Sequence, residues 1–399
     1  MTTTHPRPLE TPETIIESLL PSELLADIDQ RTSFYDRANR FLSEDLAALA
    51  STGFMRLAVP TELGGSGLPL DQVSQALRRL AYVAPASALA VNMHIFWTGV
   101  AADLQRNGDT SASFVLDEAA RGMIFAGLHS EAGNDIPILL SNTSATRVPG
   151  GWALDGHKIF GSLSPVWDYG GFHAIDTSTP SAPKIVHGFV ARDSPGVEIV
   201  STWDTLGMRG TQSHDTILSN VVVPDERIVR VCAPGFAGAD LFQVSLFAWT
   251  LLGFASVYLG AAQRAFDIAI GAAPRRTSIA MSRSMAHHPE VQHEVAEMRI
   301  ALDASAALLE RTTSDWAAGV AHPDWPVRII GTRHRVISEA YEIVDRAMES
   351  SVVPACSRRT VWSSCSATCG WDASTRPTRC STGPPPEEER HGARAATQL

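Results

Sequence analysis

Two serines stand at the ends of short apolar runs and could do chemistry together: Ser130, in Leu128-His129-Ser130-Glu131-Ala132-Gly133-Asn134-Asp135, and Ser162, closing Trp152-Ala-Leu-Asp-Gly-His-Lys-Ile-Phe160-Gly161-Ser162. About thirty residues and a Gly150-Gly151 turn separate them, the spacing of polar strand ends in an antiparallel hairpin. Such ends converge on one place, and a flat polar ligand suits the hydroxyls and backbone groups offered there. An ordinary β-domain with polar edges accounts for the same pattern. Arg209, in Thr205-Leu-Gly207-Met-Arg209-Gly210-Thr211-Gln-Ser213-His214, is either a surface charge at a turn or a clamp on an anion. His94 faces apolar company and reads as a satisfied core histidine.

The elements that must position these groups follow from periodicity. Residues 1–30 read as a lead-in with one short helix from Glu10 to Ala26. Leu42, Leu46 and Leu49 recur at helical spacing up to Gly53. A Gly-rich loop runs over Gly53–Gly67, where Pro60 stops the helix and Gly64, Gly65 and Gly67 permit a tight path. Helical spacing resumes over Asp71–Val83, breaks at Pro85 and runs again over Ala86–Leu104. From Met123 to about Arg230 short alternating runs alternate with turns at Pro149-Gly150-Gly151, Asp193–Gly196 and Pro224-Asp225, including a run just after Asp135. Val244–Ile270 is apolar nearly all round, which predicts a buried bundle helix with Trp249 and Tyr258 as core aromatics. Amphipathic helices follow at Val291–Leu302 and Val336–Ala347. Three such helices need a fourth partner.

The chain thus divides into a helical part (1–122), a β part (123–230), a helical bundle (231–349) and a tail (350–399) of different composition. At 399 residues it is long enough for two or three domains. Its net charge of −11, without a basic run, argues against a nucleic-acid partner. No uninterrupted apolar stretch of about 18 residues predicts a membrane span. The N-terminus lacks a signal-like apolar core, so the expected setting is the cytoplasm. Cys232 stands alone, while Cys356, Cys365, Cys369 and Cys380 crowd the tail in a spacing that does not match paired zinc ligands. No metal site is expected.

The stretch Phe125–Phe172 resembles the middle domain of the acyl-CoA dehydrogenase family, in which flavin monooxygenases share the fold. The family's Thr-Glu-Pro turn is Ser130-Glu131-Ala132 here, its Gly-Ser-Asp is Gly133-Asn134-Asp135, and its Asn-Gly-x-Lys-x-Trp-Ile-Thr is Asp155-Gly156-His157-Lys158-Ile159-Phe160-Gly161-Ser162. The Gly53–Gly67 loop, Thr205–His214 and Val221-Val-Val-Pro224 extend the likeness along residues 40 to 350. The resemblance implies an α+β fold: an N-terminal helical domain, a middle β-barrel domain and a C-terminal helical bundle.

It also implies FAD between the β-domain and the bundle. Leu128 and Ser130 are then donors to the pyrimidine edge of the flavin, with Asn134 in the adjoining turn. Phe160 covers a ring face and Ser162 reaches the N5 side. Arg275 meets the pyrophosphate of a neighbouring subunit's FAD, with Ser278 where the family carries an aromatic residue. A homo-oligomer and a small-molecule substrate, an acyl-CoA or other acyl thioester, are implied likewise. Oxidation of a Cα–Cβ bond needs a carboxylate base. Of the family's two places for it, one falls in the tail and the other at Thr250, so no base is named. Glu131 qualifies by location only and reads better as a turn acid capping backbone amides. The expected activity is acyl-CoA dehydrogenation. Flavin-dependent monooxygenation on the same fold, which needs no such base, and a catalytically impaired chain are the alternatives.

The alternatives matter because the text changes at Ser350. Ser350–Leu399 is rich in Ser, Arg, Cys, Pro and Thr, with Pro384–Pro386 and Glu387–Glu389 and no helical period. Such composition predicts an irregular segment. A reading-frame slip in a GC-rich gene accounts for it, and the loss of the last helices predicts an apolar face exposed near Leu251, Val257 and Ile343.

Overall fold

The computed structural model describes residues 11–235 and 240–351. The expectations for the tail, irregularity and frame slip included, lie outside them. Six helices come first: α1 (Pro12–Leu19), α2 (Ser22–Ala38), α3 (Ser43–Ser51), α4 (Leu70–Val83), α5 (Pro85–Arg106) and α6 (Ser113–Ala120). The single helix expected over Glu10–Ala26 is two. Leu20 precedes Pro21 and is driven from helical geometry to φ −129°, ψ 65°, which ends α1 before α2 begins. Pro85 does the opposite work at the start of α5, where its missing N–H costs nothing.

Eight strands follow: β1 (Phe125–Leu128), β2 (Ser144–Val148), β3 (Gly151–Gly161), β4 (Tyr169–Asp176), β5 (Lys184–Ala191), β6 (Val197–Val200), β7 (His214–Pro224) and β8 (Ile228–Cys232). They form one sheet in the order β6-β7-β3-β2-β4-β5-β8, with β1 parallel to β4. The β2–β3 hairpin turns at Gly150, whose φ of +77° suits glycine. The run after Asp135 is no strand: residues 132–143 form a loop tied down by side chains. The sheet meets the helices through α5. Trp97 donates to the Ala126 carbonyl at 3.0 Å and packs edge-on against Phe189 at 4.5 Å. A Cβ on Gly171 of β4 would lie 2.1 Å from the Trp97 ring, so this close approach requires glycine.

The last helices are α7 (Leu241–Phe247), α8 (Gly253–Ala272), α9 (Pro289–Ala317) and α10 (Trp325–Ser351). α7 runs into α8 through a π-helical turn, Ala248–Leu252. Leu241–Arg275 is long and apolar enough to cross a membrane, but its most apolar window is 83% buried inside the protein, as for a core helix. The fourth bundle partner comes from the other end of the chain. α4 lies on α8 and α9, with Ser74 and Ser256 sharing a buried hydrogen bond of 2.7 Å, Tyr82 donating to Asp267 at 2.9 Å and Arg78 pairing with Glu310 at 2.6 Å. Val257 and Ile343 are therefore buried and Leu251 is half-buried, contrary to the exposed face expected there.

Candidate functional site

Four of the six anticipated residues meet at one end of β1 and β3. Leu128 ends β1, is fully buried and packs on Gly161, where an added Cβ would sit 3.2 Å from its Cδ2. Ser130 forms an isolated antiparallel bridge to Ile159, whose N–H donates to the Ser130 carbonyl at 2.9 Å. Within the described residues the Ser130 hydroxyl meets no partner. Between Lys158, opposite Thr216, and Gly161, opposite His214, the register of β3 against β7 shifts. The bulge holds Phe160 at φ +59°, a conformation that costs a non-glycine residue energy, and leaves its side chain 42% exposed. Trp203 supports the ring edge-on at 6.0 Å. Ser162 is buried and begins a hydroxyl chain: 2.8 Å to Ser213, 2.6 Å on to Thr211, then 2.8 Å to the Met208 carbonyl.

The other two stand apart. Asn134 is absorbed by its own loop, donating to Glu131 at 2.9 Å and to the Leu140 carbonyl at 2.7 Å while its oxygen receives the Ile136 N–H. Arg275 is exposed just after α8, in the short turn Ala273–Arg275. Arg209 is a tie rather than an anion clamp, donating to the Asp36 and Thr205 carbonyls and to Asp204. His94 is a satisfied core histidine: it contacts the Met55 carbonyl through Nε2 at 2.9 Å and accepts the Phe125 N–H on Nδ1. Burial lowers its pKa to about 4.

Behind the serine edge lies a buried node that the sequence showed only in part. Glu131 caps loop amides, as its turn position suggested: it accepts from the Asn142 N–H at 2.7 Å and the Thr143 N–H at 3.0 Å. It also binds Lys158 Nζ at 2.5 Å, and both side chains are at most 1% exposed. Burial raises the Glu131 carboxyl, but Lys158 and the hydrogen bonds outweigh it and hold it at about 2. Burial lowers Lys158 to about 8 against the pull of Glu131. Three stacked imidazoles adjoin the pair, His129 on His173 at 5.5 Å and His173 on His187 at 6.3 Å. Burial, then neighbouring positive groups, pushes His129 and His187 down to about 3. Glu131 carried a signal through its turn position and Lys158 as one of the chain's two lysines, whereas the three histidines carried none.

Thr250 sits in the π-helical turn, buried, and its hydroxyl has no partner among the described residues. The buried acidic residues among the described residues are engaged, and only half-buried Asp71, at the start of α4, keeps a buried carboxylate oxygen with no partner there. Asp45 binds Arg31, Tyr35 and Ser87, Asp103 accepts from Ser245, Trp249 and Trp316, Asp176 caps Ser178, and Asp315 pairs with Arg311 and Arg328.

The molecule is α+β, with helices before and after a mixed sheet in the chain, and a strained aromatic bulge at the sheet's end stands among hydroxyls. It resembles known proteins in sequence and in fold. A model of the acyl-CoA dehydrogenase C-terminal domain matches residues 252–360. The putative acyl-CoA dehydrogenase YdbM of Bacillus subtilis (strain 168) is 27% identical over 328 residues, covering 81% of this chain and 83% of that protein. Butyryl-CoA dehydrogenase from Megasphaera elsdenii shares the fold with a TM-score of 0.77 at 17% identity, over 90% of this chain and 93% of that one. TdsC from Paenibacillus sp. A11-2, solved with FMN and indole, superposes with the same TM-score at 19% identity, over 91% and 93%. A further structure of TdsC names it a dibenzothiophene monooxygenase. Residues 252–360 thus match an acyl-CoA dehydrogenase domain, most of the chain is similar in sequence to a putative acyl-CoA dehydrogenase, and the fold is shared with a butyryl-CoA dehydrogenase and a flavin-bound monooxygenase.

Proposed function

We propose that this chain is a flavin-dependent oxidoreductase and that it works as a monooxygenase on a small organic molecule. The bulge supports the flavin: a flat ring fits beside an exposed Phe160, a partnerless Ser130 hydroxyl and the Ser162 hydroxyl chain. Leu128 and Ser130 would hold the ring's polar edge, and Phe160 and Ser162 would complete the site. Arg275, exposed, is free for the phosphates of a flavin in a second subunit of a homo-oligomer. When bound, the flavin supplies two-electron chemistry, toward either a substrate carbon or dioxygen.

One observation favours oxygen. The five buried acidic residues among the described residues, Asp45, Asp103, Glu131, Asp176 and Asp315, are each held by hydrogen bonds or ion pairs, and Thr250 offers a hydroxyl at the one described position where the family resemblance puts the base that dehydrogenation requires. The second reading, acyl thioester dehydrogenation, draws on the name of the Bacillus subtilis relative. Anaerobic mixing of the flavin-loaded protein with short-, medium- and long-chain acyl-CoA separates them. Unbleached flavin is expected. Rapid bleaching by any acyl-CoA sinks the monooxygenase reading and establishes the dehydrogenase, and failure to take up FAD or FMN sinks both.

A further inference from the structure

The Glu131–Lys158 pair makes more contacts than a stabilising ion pair needs. Besides Lys158, Glu131 accepts from the Thr143 hydroxyl at 2.6 Å, the Ser141 hydroxyl at 2.7 Å, the Asn134 amide at 2.9 Å and two backbone N–H groups. Lys158 spends a second donor on the His173 carbonyl in β4 at 2.7 Å. One carboxylate and one ammonium thus join the segment after β1, the loop 132–143, β3 and β4. Each charge also lies one residue from the bridge that joins the serine edge to the aromatic bulge: Glu131 follows Ser130, and Lys158 precedes Ile159.

Burying two charges costs several kcal/mol per ion before their attraction is counted, and apolar replacement of such a pair is often neutral or stabilising. Stability alone therefore gives little reason for the arrangement. Geometry gives a better one. The backbone at Phe160 is strained, and β7 pairs with Lys158 and Gly161 on either side of the bulge while the register shifts between them. The Lys158 tether and the Ser130–Ile159 bridge hold the bulge from the other side.

We propose that Glu131 and Lys158 are positioning residues: their pair locks Leu128–Ser130 against Phe160–Ser162 so that both segments present one preformed edge to the flavin. The inference rests on the flavin reading. Neither residue touches the ligand in this account, and each acts through the backbone of its neighbours. The loop 132–143 is held by the same carboxylate, so its order depends on the pair as well.

The test compares wild type, Lys158→Met and the double variant Lys158→Met/Glu131→Gln, with Leu49→Ala as a control for general loss of stability in the N-terminal helices. Affinity for FAD and for FMN, the visible spectrum of the bound flavin, urea unfolding and amide exchange at Ile159 and Thr143 are measured. Lys158→Met leaves Glu131 buried and unpaired, so it should unfold at lower urea. The double variant removes that charge and should regain most of the stability. Its flavin affinity should nevertheless stay at least tenfold below wild type, with an altered spectrum and faster exchange at both amides, whereas Leu49→Ala should lose stability but keep its affinity. If affinity recovers together with stability in the double variant, or if Leu49→Ala weakens binding as much, the pair is only structural and the proposal is overturned. Should Lys158→Met not fold, the double variant decides by itself. If wild type takes up neither flavin, the flavin reading fails separately. Unchanged exchange at Ile159 in the double variant then overturns the lock as well, and faster exchange there upholds it.

Discussion

At the scale of residues, the two serines that first drew notice differ in what holds them. Ser162 is one link of a buried hydroxyl chain through Ser213 and Thr211, whereas the Ser130 hydroxyl has no partner in the described protein. Their alanine variants should therefore separate stability from binding. Ser162→Ala should cost about 1 kcal/mol of apo-protein stability, because it leaves Ser213 with one partner fewer. Ser130→Ala should leave urea unfolding unchanged and weaken flavin binding by about 0.5–1.5 kcal/mol. Full flavin affinity in Ser130→Ala would remove that residue from the site. The pattern of apolar runs and turns put both at strand ends, and hydrogen bonding distinguishes the bonded Ser162 from Ser130.

At the scale of elements, the long apolar helix is held in register by its own irregularity. The π-helical turn presents Trp249 to α5, where its indole N–H donates to Asp103 at 2.6 Å. The same carboxylate oxygen takes the Trp316 indole of α9 at 2.9 Å and the Ser245 hydroxyl of α7 at 3.0 Å. Asp103 thus fixes where α5, α7 and α9 cross. Trp249 also lies over Gly99, and a Cβ there would fall 2.2 Å from its ring. Because Asp103 pins the indole, the ring cannot step aside. Gly99→Ala should cost about 1–3 kcal/mol by overpacking, read as a lower urea midpoint. An unchanged midpoint would mean that the π-helical turn yields more easily than this packing implies. The helix's buried character was legible in its all-round apolar pattern, but the extra residue in its turn had no periodic signature.

At the scale of the whole molecule, buried neutral histidines join the sheet to the helices. His94 lies between Met55 and β1, and His129, His173 and His187 run from Trp97 of α5 to Phe242 of α7. Burial lowers all four pKa values, to about 4 for His94, about 3 for His129 and His187, and well below the ordinary value for His173. The folded state therefore resists protons that the unfolded chain binds below about pH 6.5. Stability is full above that pH and falls as the pH drops toward 3–4, by on the order of 1 kcal/mol per pH unit for each histidine. Glu131, held at about 2, adds to the loss once the pH passes below the ordinary carboxylate range. Urea midpoints should fall steeply from pH 7 to pH 5, and a flat profile would show that these imidazoles reach solvent. What the sequence determined by itself was whatever short-range pattern encodes: helical and alternating periods, Pro85 as a helix start, the Gly150 turn and the strand motifs that brought Leu128, Ser130, Phe160 and Ser162 to one end of the sheet. Tertiary structure alone decided the rest. It split the first helix at Leu20 and Pro21, brought α4 from the chain's far end to complete the bundle, drew Asn134 into its own loop and tied Arg209 to α2. It also buried Lys158 against Glu131. The physical reason is common to these cases: a polar side chain that leaves water must find its partner in space, and for Lys158 that partner lies 27 residues away in the chain.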